Sequence, residues 1–156
     1  MSDTHRYSLL VRWTGNLGTG TATYRGYSRD HEYAAEGKPT IPGSSDPVFR
    51  GDGARYNPEE LLVGALASCH MLWFLHLCAE AGVVLETYED SPVGTMVVEP
   101  DGGGRFTEVV LRPHGTFRGD VDPALIRQLH ERSHALCFVA NSMNFPVRVE
   151  LQVAGD

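Results

Sequence analysis

Apolar residues dominate positions 57 to 78, and they run around the whole circumference of a helix rather than along one stripe. Asn57 is a good N-cap, Pro58 suits the first helical position, and Glu60 stands where a capping-box acid reaches back to the cap. Gly82 is a natural C-terminal stop. The pattern predicts a helix that is buried almost all round. We expect that this helix does not span a membrane, because it is too short and too polar at its start, and a span needs about 20 consecutive apolar residues.

Alternating positions on both sides of this helix predict strands. The predicted strands cover residues 7–14, a run through Thr21, Thr23 and Tyr24, a short extended piece near 31–35, the pair 93–99 and 105–112, and 146–153. A Pro-Asp-Gly-Gly-Gly turn joins the pair as a hairpin. Asp122 and Pro123 repeat the cap-plus-proline start and predict a second helix through about Ala140. This order is typical of an α+β fold, and we expect a single domain over residues 1–156.

The predicted burial of the first helix also bears on the oligomeric state. A helix that is apolar all round needs cover on every side. A thin sheet from a single chain covers only one side of such a helix, so a second copy of the chain must supply the rest. The pattern therefore predicts an intertwined homodimer.

Composition limits the classes of protein that remain. The chain has 156 residues, of which 42% are hydrophobic and 21% charged, so it can build a real core. A net charge of −7, with Lys38 as the only lysine, weighs against a nucleic-acid or anionic-membrane partner. The first seven residues are polar and do not resemble a signal peptide, so we expect a cytoplasmic protein.

Three cysteines are too few for a disulfide scaffold in a chain of this length. Cys69 and Cys78 lie nine residues apart on the same predicted helix, which separates them by roughly 13 Å along the axis and turns them to opposite faces. They cannot bond to each other within that helix. Cys137 is the only candidate partner for either of them, and we read Cys78 as a small core residue.

Two stretches together resemble the OsmC/Ohr family of thiol-dependent peroxidases. They are Asn-Pro-Glu-Glu-Leu-Leu-Val-Gly-Ala-Leu-Ala-Ser-Cys at 57–69 and Leu-Cys-Phe-Val-Ala-Asn-Ser-Met-Asn-Phe-Pro-Val at 136–147. The resemblance implies an OsmC-like fold, with antiparallel sheets wrapped around two central helices in an intertwined homodimer. It further implies a peroxidase of the oxidative stress response that reduces organic hydroperoxides without a cofactor or a metal.

The same resemblance assigns roles to individual residues. Cys69 would be the peroxidatic thiol, and Cys137 the resolving thiol. Glu59 would be the carboxylate that positions an arginine beside Cys69. The sequence offers Arg25, Arg29 and Arg50 for that role; we favour Arg29 or Arg50, and the sequence offers no way to choose between these two. An external dithiol of the lipoyl or thioredoxin type would reduce the resulting disulfide.

General thiol chemistry explains these roles without reference to the family. A thiolate cleaves a peroxide O–O bond by in-line attack, so the pKa of the attacking cysteine must be lowered by a cation such as arginine. A second thiol must capture the sulfenic acid before further oxidation. Glu59 lies about 15 Å along the helix from Cys69, so a shared site would need a second copy or a long arginine. An apolar pocket of Leu66, Trp73 and Phe74 would favour bulky organic hydroperoxides.

A rival hypothesis comes from residues 130 to 134, which read His-Glu-Arg-Ser-His and match the H-E-x-x-H pattern of zinc hydrolases. His130 and His134 would lie on one helical face with Glu131 as a base, and Cys137 would lie one turn further on. A metal there would hold the thiol that peroxidase turnover needs free. A third hypothesis is a non-enzymatic redox-sensing or binding protein of the same fold, whose cysteines oxidise once without turnover.

Overall fold

The computed structural model describes residues 2 to 152, which fall into one compact unit up to Leu61 and a second from Leu62 onward. The first unit holds an antiparallel sheet of three strands in the order β1-β2-β3. Its elements are β1 (Leu10–Trp13), β2 (His31–Ala34), β3 (Ile41–Gly43), a 3-10 helix (Pro47–Phe49) and the start of α1 (Pro58–Glu80).

One predicted strand of this unit is wrong. The run from Thr21 to Tyr24 forms turns and bends, not a strand. The Asn16 side chain accepts hydrogen bonds from the backbone N–H groups of Gly18 and Gly20, at 2.9 and 3.0 Å. Both glycines have positive φ, so the chain curls at the point where an extended strand was expected. The extended piece near residue 31 is confirmed as β2, and its partner β3 was not foreseen.

The first central helix, α1, begins as its sequence predicts. The Asn57 N–H donates to a Glu60 carboxylate oxygen at 3.1 Å, and the Glu60 N–H donates to the Asn57 side-chain oxygen at 2.8 Å. This reciprocal pair is a capping box. At the other end Gly82 has a φ of 68°, and the Val83 N–H donates to the Cys78 carbonyl at 2.9 Å. Glycine is suited to that left-handed position, which closes the helix.

The second unit contains the rest of α1, five strands and a second helix. Its elements are β4 (Leu85–Asp90), β5 (Val93–Val98), β6 (Gly104–Leu111), β7 (Pro113–Phe117), α2 (Pro123–Leu136), a 3-10 helix (Ala140–Ser142) and β8 (Val147–Val149). β4 pairs with β7, and a separate sheet has the order β5-β6-β8 with β8 parallel to β6. The predicted hairpin is confirmed as β5 and β6, whereas β4 and β7 were not predicted. This mixture of helices and mainly antiparallel sheets confirms the α+β class.

The two C-terminal elements are shorter than predicted. α2 begins at Pro123 after the Asp122 side chain accepts a hydrogen bond from Ala124, but it ends at Leu136, four residues early. Cys137 then adopts an extended conformation with a ψ of 108°. It therefore lies just past the helix and not on its face. β8 covers only Val147–Val149 of the predicted 146–153, although the expected alternation of burial continues past it as far as residue 152; Val153 lies outside the described residues.

Two apolar cores organise the second unit, and α1 contributes to both. One core combines α1 with α2, and the other combines α1 with β6 and β8. The buried members are Phe74, Leu77, Cys78, Val83 and Leu129 in the first core, and Leu66, Val109, Leu111 and Val147 in the second. The apolar residues of α1 are thus divided between two sheets and a helix.

The prediction that α1 is buried almost all round is wrong for a single chain. Leu72 is 61% exposed and Leu75 is 40% exposed, although both are large apolar residues. Exposed positions recur with helical spacing at Ala65, Ser68, Leu72, Leu75 and Ala79, so they form one continuous face. α1 has 23 residues and contains an 18-residue window with a mean hydropathy of 1.8, so by length and composition alone it could cross a membrane, contrary to our expectation.

Candidate functional site

The structure brings two of the three cysteines together. Cys69 lies near the middle of α1 and is partly exposed, whereas Cys137 follows the end of α2 and is buried. The two thiols are close enough for Cys69 to raise the pKa of Cys137. The pair forms because α2 ends at Leu136 and the extended Cys137 leaves the helix axis. A thiol pair of this kind can alternate between a dithiol and a disulfide.

Cys137 is held in its protonated form. Burial raises the pKa of the Cys137 thiol to about 11, and the neighbouring Cys69 thiol adds to this rise. The N–H groups of Ala140 and Val139 act in the opposite direction, and the Ala140 N–H donates to the sulfur at 3.5 Å. At neutral pH Cys137 is therefore a thiol whose S–H can donate to a Cys69 thiolate.

An open apolar groove runs beside the exposed sulfur. Its volume is about 280 Å³, and it is lined by Cys69, Leu72, Trp73, His76 and Phe138. The rings of Trp73 and Phe138 meet edge to face, with centroids 5.5 Å apart and planes at 76°. Trp73 was expected in this pocket. The other two expected members, Leu66 and Phe74, are instead fully buried, each in a different one of the two cores.

A pair of buried histidines was not foreseen, and one of them, His70, directly follows Cys69 in α1. His70 Nε2 and His130 Nδ1 are 3.0 Å apart, and the His130 ring stacks on Phe74 with centroids 3.8 Å apart. Burial, then the charge of His134, lowers the pKa of His70 to about 4. Burial, then the charge of His70, lowers the pKa of His130 to about 3. Both imidazoles are therefore neutral in the folded protein at neutral pH.

The alternative metal site is not formed. Among residues 2 to 152, no three histidine, cysteine or acidic side chains are placed to hold a metal ion. His130 uses its Nδ1 atom on His70, and Cys137 lies past the end of α2 with its thiol beside Cys69. The proposed set of His130, His134 and Cys137 assumed a helix through Ala140, and the earlier end of α2 removes that geometry.

The third cysteine has a different environment. Cys78 is 2% exposed and belongs to the apolar core that contains Phe74 and Leu129. Burial alone raises the pKa of the Cys78 thiol. The interpretation of Cys78 as a small core residue is thus confirmed.

The two candidate arginines lie in the first unit and share one aromatic neighbour. The Arg29 guanidinium donates to the carbonyls of Tyr24 and Tyr27, both at 2.7 Å, and lies over both tyrosine rings at 4.5 and 4.0 Å. The Arg50 guanidinium lies 6.0 Å from the Tyr24 ring. Arg50 also has a φ of 65°, the only positive value found for a described residue other than glycine. The loop thus holds both cations against a tyrosine rather than a carboxylate.

Glu59, the last of the predicted site residues, lies in the first turn of α1 and is partly exposed. Ten residues separate it from Cys69 along the same helix. The capping box uses Glu60, so the Glu59 carboxylate is not needed for the cap. Its predicted role as the carboxylate that positions an arginine stays a prediction.

Known proteins resemble this chain over most of its length. The model of a family described as OsmC-like protein matches residues 51 to 152. An OsmC-like protein of unknown function from Vibrio cholerae is 33% identical, with a TM-score of 0.86 over 96% of this chain and 100% of that one. An organic hydroperoxide resistance protein OsmC from Legionella pneumophila is 18% identical, with a TM-score of 0.70 over 96% and 100%. The uncharacterized Bacillus subtilis protein YmaD is 24% identical over 99% of this chain and 96% of its own length.

Proposed function

Because the chain belongs to the OsmC-like family, we propose that it is a thiol-dependent peroxidase that reduces organic hydroperoxides. The observation that carries the proposal is the meeting of the Cys69 and Cys137 thiols beside an apolar groove. Cys69 is the partly exposed member, so it attacks the peroxide, and the buried Cys137 resolves the product. The name of the Legionella pneumophila relative supports a hydroperoxide as the substrate.

The first step is the attack of the Cys69 thiolate on the terminal oxygen of the hydroperoxide. A bond forms between sulfur and that oxygen, the O–O bond breaks, and the alkoxide leaves and takes up a proton as the alcohol. Cys69 is thereby oxidised to a sulfenic acid. The S–H of Cys137 stabilises the reacting thiolate as a hydrogen-bond donor, since its raised pKa keeps it protonated.

The second step closes the disulfide. The Cys137 sulfur attacks the Cys69 sulfur, the S–O bond breaks, and hydroxide leaves with the Cys137 proton as water. An external dithiol then reduces the disulfide and is itself oxidised to a disulfide. The complete cycle converts a hydroperoxide and a dithiol into an alcohol, water and an oxidised dithiol, without a cofactor.

Activation of Cys69 needs a cation, which Arg29 or Arg50 supplies in this proposal. Arginine stays charged at any physiological pH and can donate to the leaving oxygen. Glu59 positions this arginine, and a second copy of the chain completes the site. The exposed apolar face of α1, with Leu72 61% exposed, supports a homodimer because such a face is costly to leave in water.

The proposal also concerns where the protein works. A soluble protein is consistent with the family and with an α1 whose buried residues pack into both cores. The proposal locates it in the cytoplasm, where a reducing environment returns thiols to their active state. Sedimentation of the purified protein tests the oligomeric state, and a mass twice that of one chain is expected.

Turnover of cumene hydroperoxide with a dithiol reductant and a chelator present tests the function. Wild-type protein should consume peroxide over many cycles, and mass spectrometry should find a Cys69–Cys137 disulfide after peroxide is added without reductant. Arg29→Gln and Arg50→Gln identify the activating cation. Arg55→Gln is the matched control, because Arg55 already pairs with Asp30 at 3.7 Å and Asp52 at 3.9 Å.

Two results would contradict the proposal. Oxidation that consumes one equivalent of peroxide without turnover, whichever dithiol is supplied, would point to the redox-sensing alternative. Unchanged rates in both Arg29→Gln and Arg50→Gln would remove arginine activation from the mechanism.

A further inference from the structure

A large aromatic side chain next to the buried thiol has no role in the chemistry above. Phe138 directly follows Cys137, and 70% of its surface is exposed. Single exposed apolar residues are ordinary, but Phe138 lines the groove that leads to Cys69 and contacts Trp73 there. A substrate that approaches the Cys69 sulfur through this groove would therefore contact Phe138.

The backbone that carries Phe138 is held by hydrogen bonds within its own loop. The Ser142 hydroxyl donates to the Phe138 carbonyl at 2.8 Å, and the Asn141 side chain donates to the Ala135 carbonyl at 3.1 Å. The Asn141 N–H also donates to the Cys137 carbonyl at 3.0 Å. A ring on such a fixed backbone loses little entropy when it binds a ligand.

The geometry of the two rings suggests the shape of what they bind. Trp73 and Phe138 stand at 76° to each other, so they form a corner with two apolar walls. A flat aromatic ring placed in that corner stacks on one wall and meets the other edge to face, which are the two favoured arrangements of aromatic pairs. A branched alkyl group gains apolar contact but neither of these arrangements.

The groove also has a suitable size and position. Its volume of about 280 Å³ is just below the range of about 300 to 1,000 Å³ for small-molecule sites, which favours a compact ligand. Trp73 lies four residues after Cys69 on α1, so the two side chains occupy the same face of the helix, one turn apart. A single ring held at Trp73 would keep its attached peroxide within one turn of the sulfur.

We propose that Phe138, together with Trp73, is a specificity-determining residue that selects compact aryl-substituted hydroperoxides over alkyl hydroperoxides and hydrogen peroxide. This inference rests on the proposed peroxidase function for its kinetic consequence. It does not rest on that function for the binding of the aryl group, which depends only on the groove. Phe138 acts by holding the organic substituent and does not touch the O–O bond.

The kinetic test compares rate constants for the reaction of the reduced protein with three peroxides. Phe138→Ala should slow the reaction with cumene hydroperoxide about tenfold, the effect of losing one aromatic contact and its buried area. Reaction with tert-butyl hydroperoxide and with hydrogen peroxide should change less than about twofold. Phe138→Leu restores apolar bulk without a ring and should remain slow with cumene hydroperoxide alone. Val98→Ala, which trims an exposed apolar residue of β5 outside the groove, is the matched control.

Two outcomes would overturn the assignment. An equal loss of rate for all three peroxides would mean that Phe138 supports the Cys137 loop and not the substrate. A change in sedimenting mass for Phe138→Ala would mean that the ring belongs to a contact between subunits.

A binding measurement separates this inference from the proposed function. Cumyl alcohol, the unreactive product of cumene hydroperoxide, should bind Cys69→Ser protein and shift the NMR signals of the groove residues. Its affinity should fall about tenfold when Phe138→Ala is added. If the wild-type protein turns over no hydroperoxide, the proposed function fails, and this measurement still decides the role of the groove. Equal binding with and without the Phe138 ring would overturn the inference whatever the activity.

Discussion

Cys69 and Cys78 lie on the same helix, nine residues apart, and they occupy opposite chemical environments. Cys69 is partly exposed, with a second thiol within reach and an apolar groove beside it. Cys78 is 2% exposed in a core of apolar side chains, and only burial acts on its pKa. Reactivity of a cysteine depends on its thiolate and its access, so the helix by itself decides neither. The neighbours that other elements bring to each thiol make the difference.

Removal of the Cys69 sulfur is expected to have the largest effect. Cys69→Ser should lower turnover of cumene hydroperoxide by a factor of at least about 100, since a hydroxyl does not replace a thiolate as the nucleophile. The measurement is steady-state peroxide consumption with excess dithiol. Activity retained in Cys69→Ser would mean that another cysteine is the reactive thiol and would contradict the assigned difference between Cys69 and Cys78.

Removal of the Cys137 sulfur should leave the first step and abolish the second. Cys137→Ser should react with one equivalent of peroxide to form the sulfenic acid, and further equivalents of peroxide should then oxidise Cys69 to sulfinic and sulfonic acid, because no thiol captures the sulfenic acid. Mass spectrometry of the peptide containing Cys69 measures this. Wild-type protein treated identically serves as the reference, and sustained turnover by Cys137→Ser would show that an external thiol resolves the intermediate directly.

The contribution of the buried His70–His130 pair to stability can be tested with acid. The lowered pKa values of His70, about 4, and His130, about 3, mean that unfolding releases imidazoles that take up protons more readily than the folded protein does. Their contribution to stability is therefore complete above about pH 6.5 and is lost as pH falls toward 4. The free energy of unfolding should drop by about 3 kcal/mol over that interval, even if only one imidazole contributes.

Urea denaturation at a series of pH values measures this loss. His130→Phe, which keeps a ring against Phe74 and removes one titrating group, should have a shallower decline. The matched control is His76→Gln, because His76 is exposed and pairs with Glu80 at 3.2 Å. Equal slopes in all three proteins would mean that the buried imidazoles do not govern acid stability.

The smallest effect is expected at Cys78. Cys78→Ala removes one buried sulfur from a packed core, which should cost about 1 kcal/mol of unfolding free energy through the small cavity left behind. Peroxide turnover should be unchanged, so this variant is the matched control for Cys69→Ser on the same helix. A loss of activity without a loss of stability would give Cys78 a redox role and end the contrast between the two thiols.

Local signals in the sequence accounted for much of the fold. Asn57 and Glu60 predicted the capping box, Gly82 predicted the helix end, and the glycine turn after Val98 predicted the β5–β6 hairpin. Each of these features depends on contacts between residues close in the chain, so a short window contains the information. The prediction failed between Thr21 and Tyr24, where the side chain of Asn16 and two glycines with positive φ outweighed strand propensity.

Local patterns thus predicted the two central helices, the hairpin and the α+β class, and the family resemblance singled out Cys69 and Cys137. The structure was needed to show that α2 ends at Leu136, that Cys137 lies beside Cys69, and that His130 pairs with His70. The reason is that the last two of these facts depend on residues 60 or more positions apart, whose meeting is set by the packing of α1 against α2 and the sheets. The apolar pattern of α1 predicts that its faces are covered, whereas the tertiary structure shows which residues cover them.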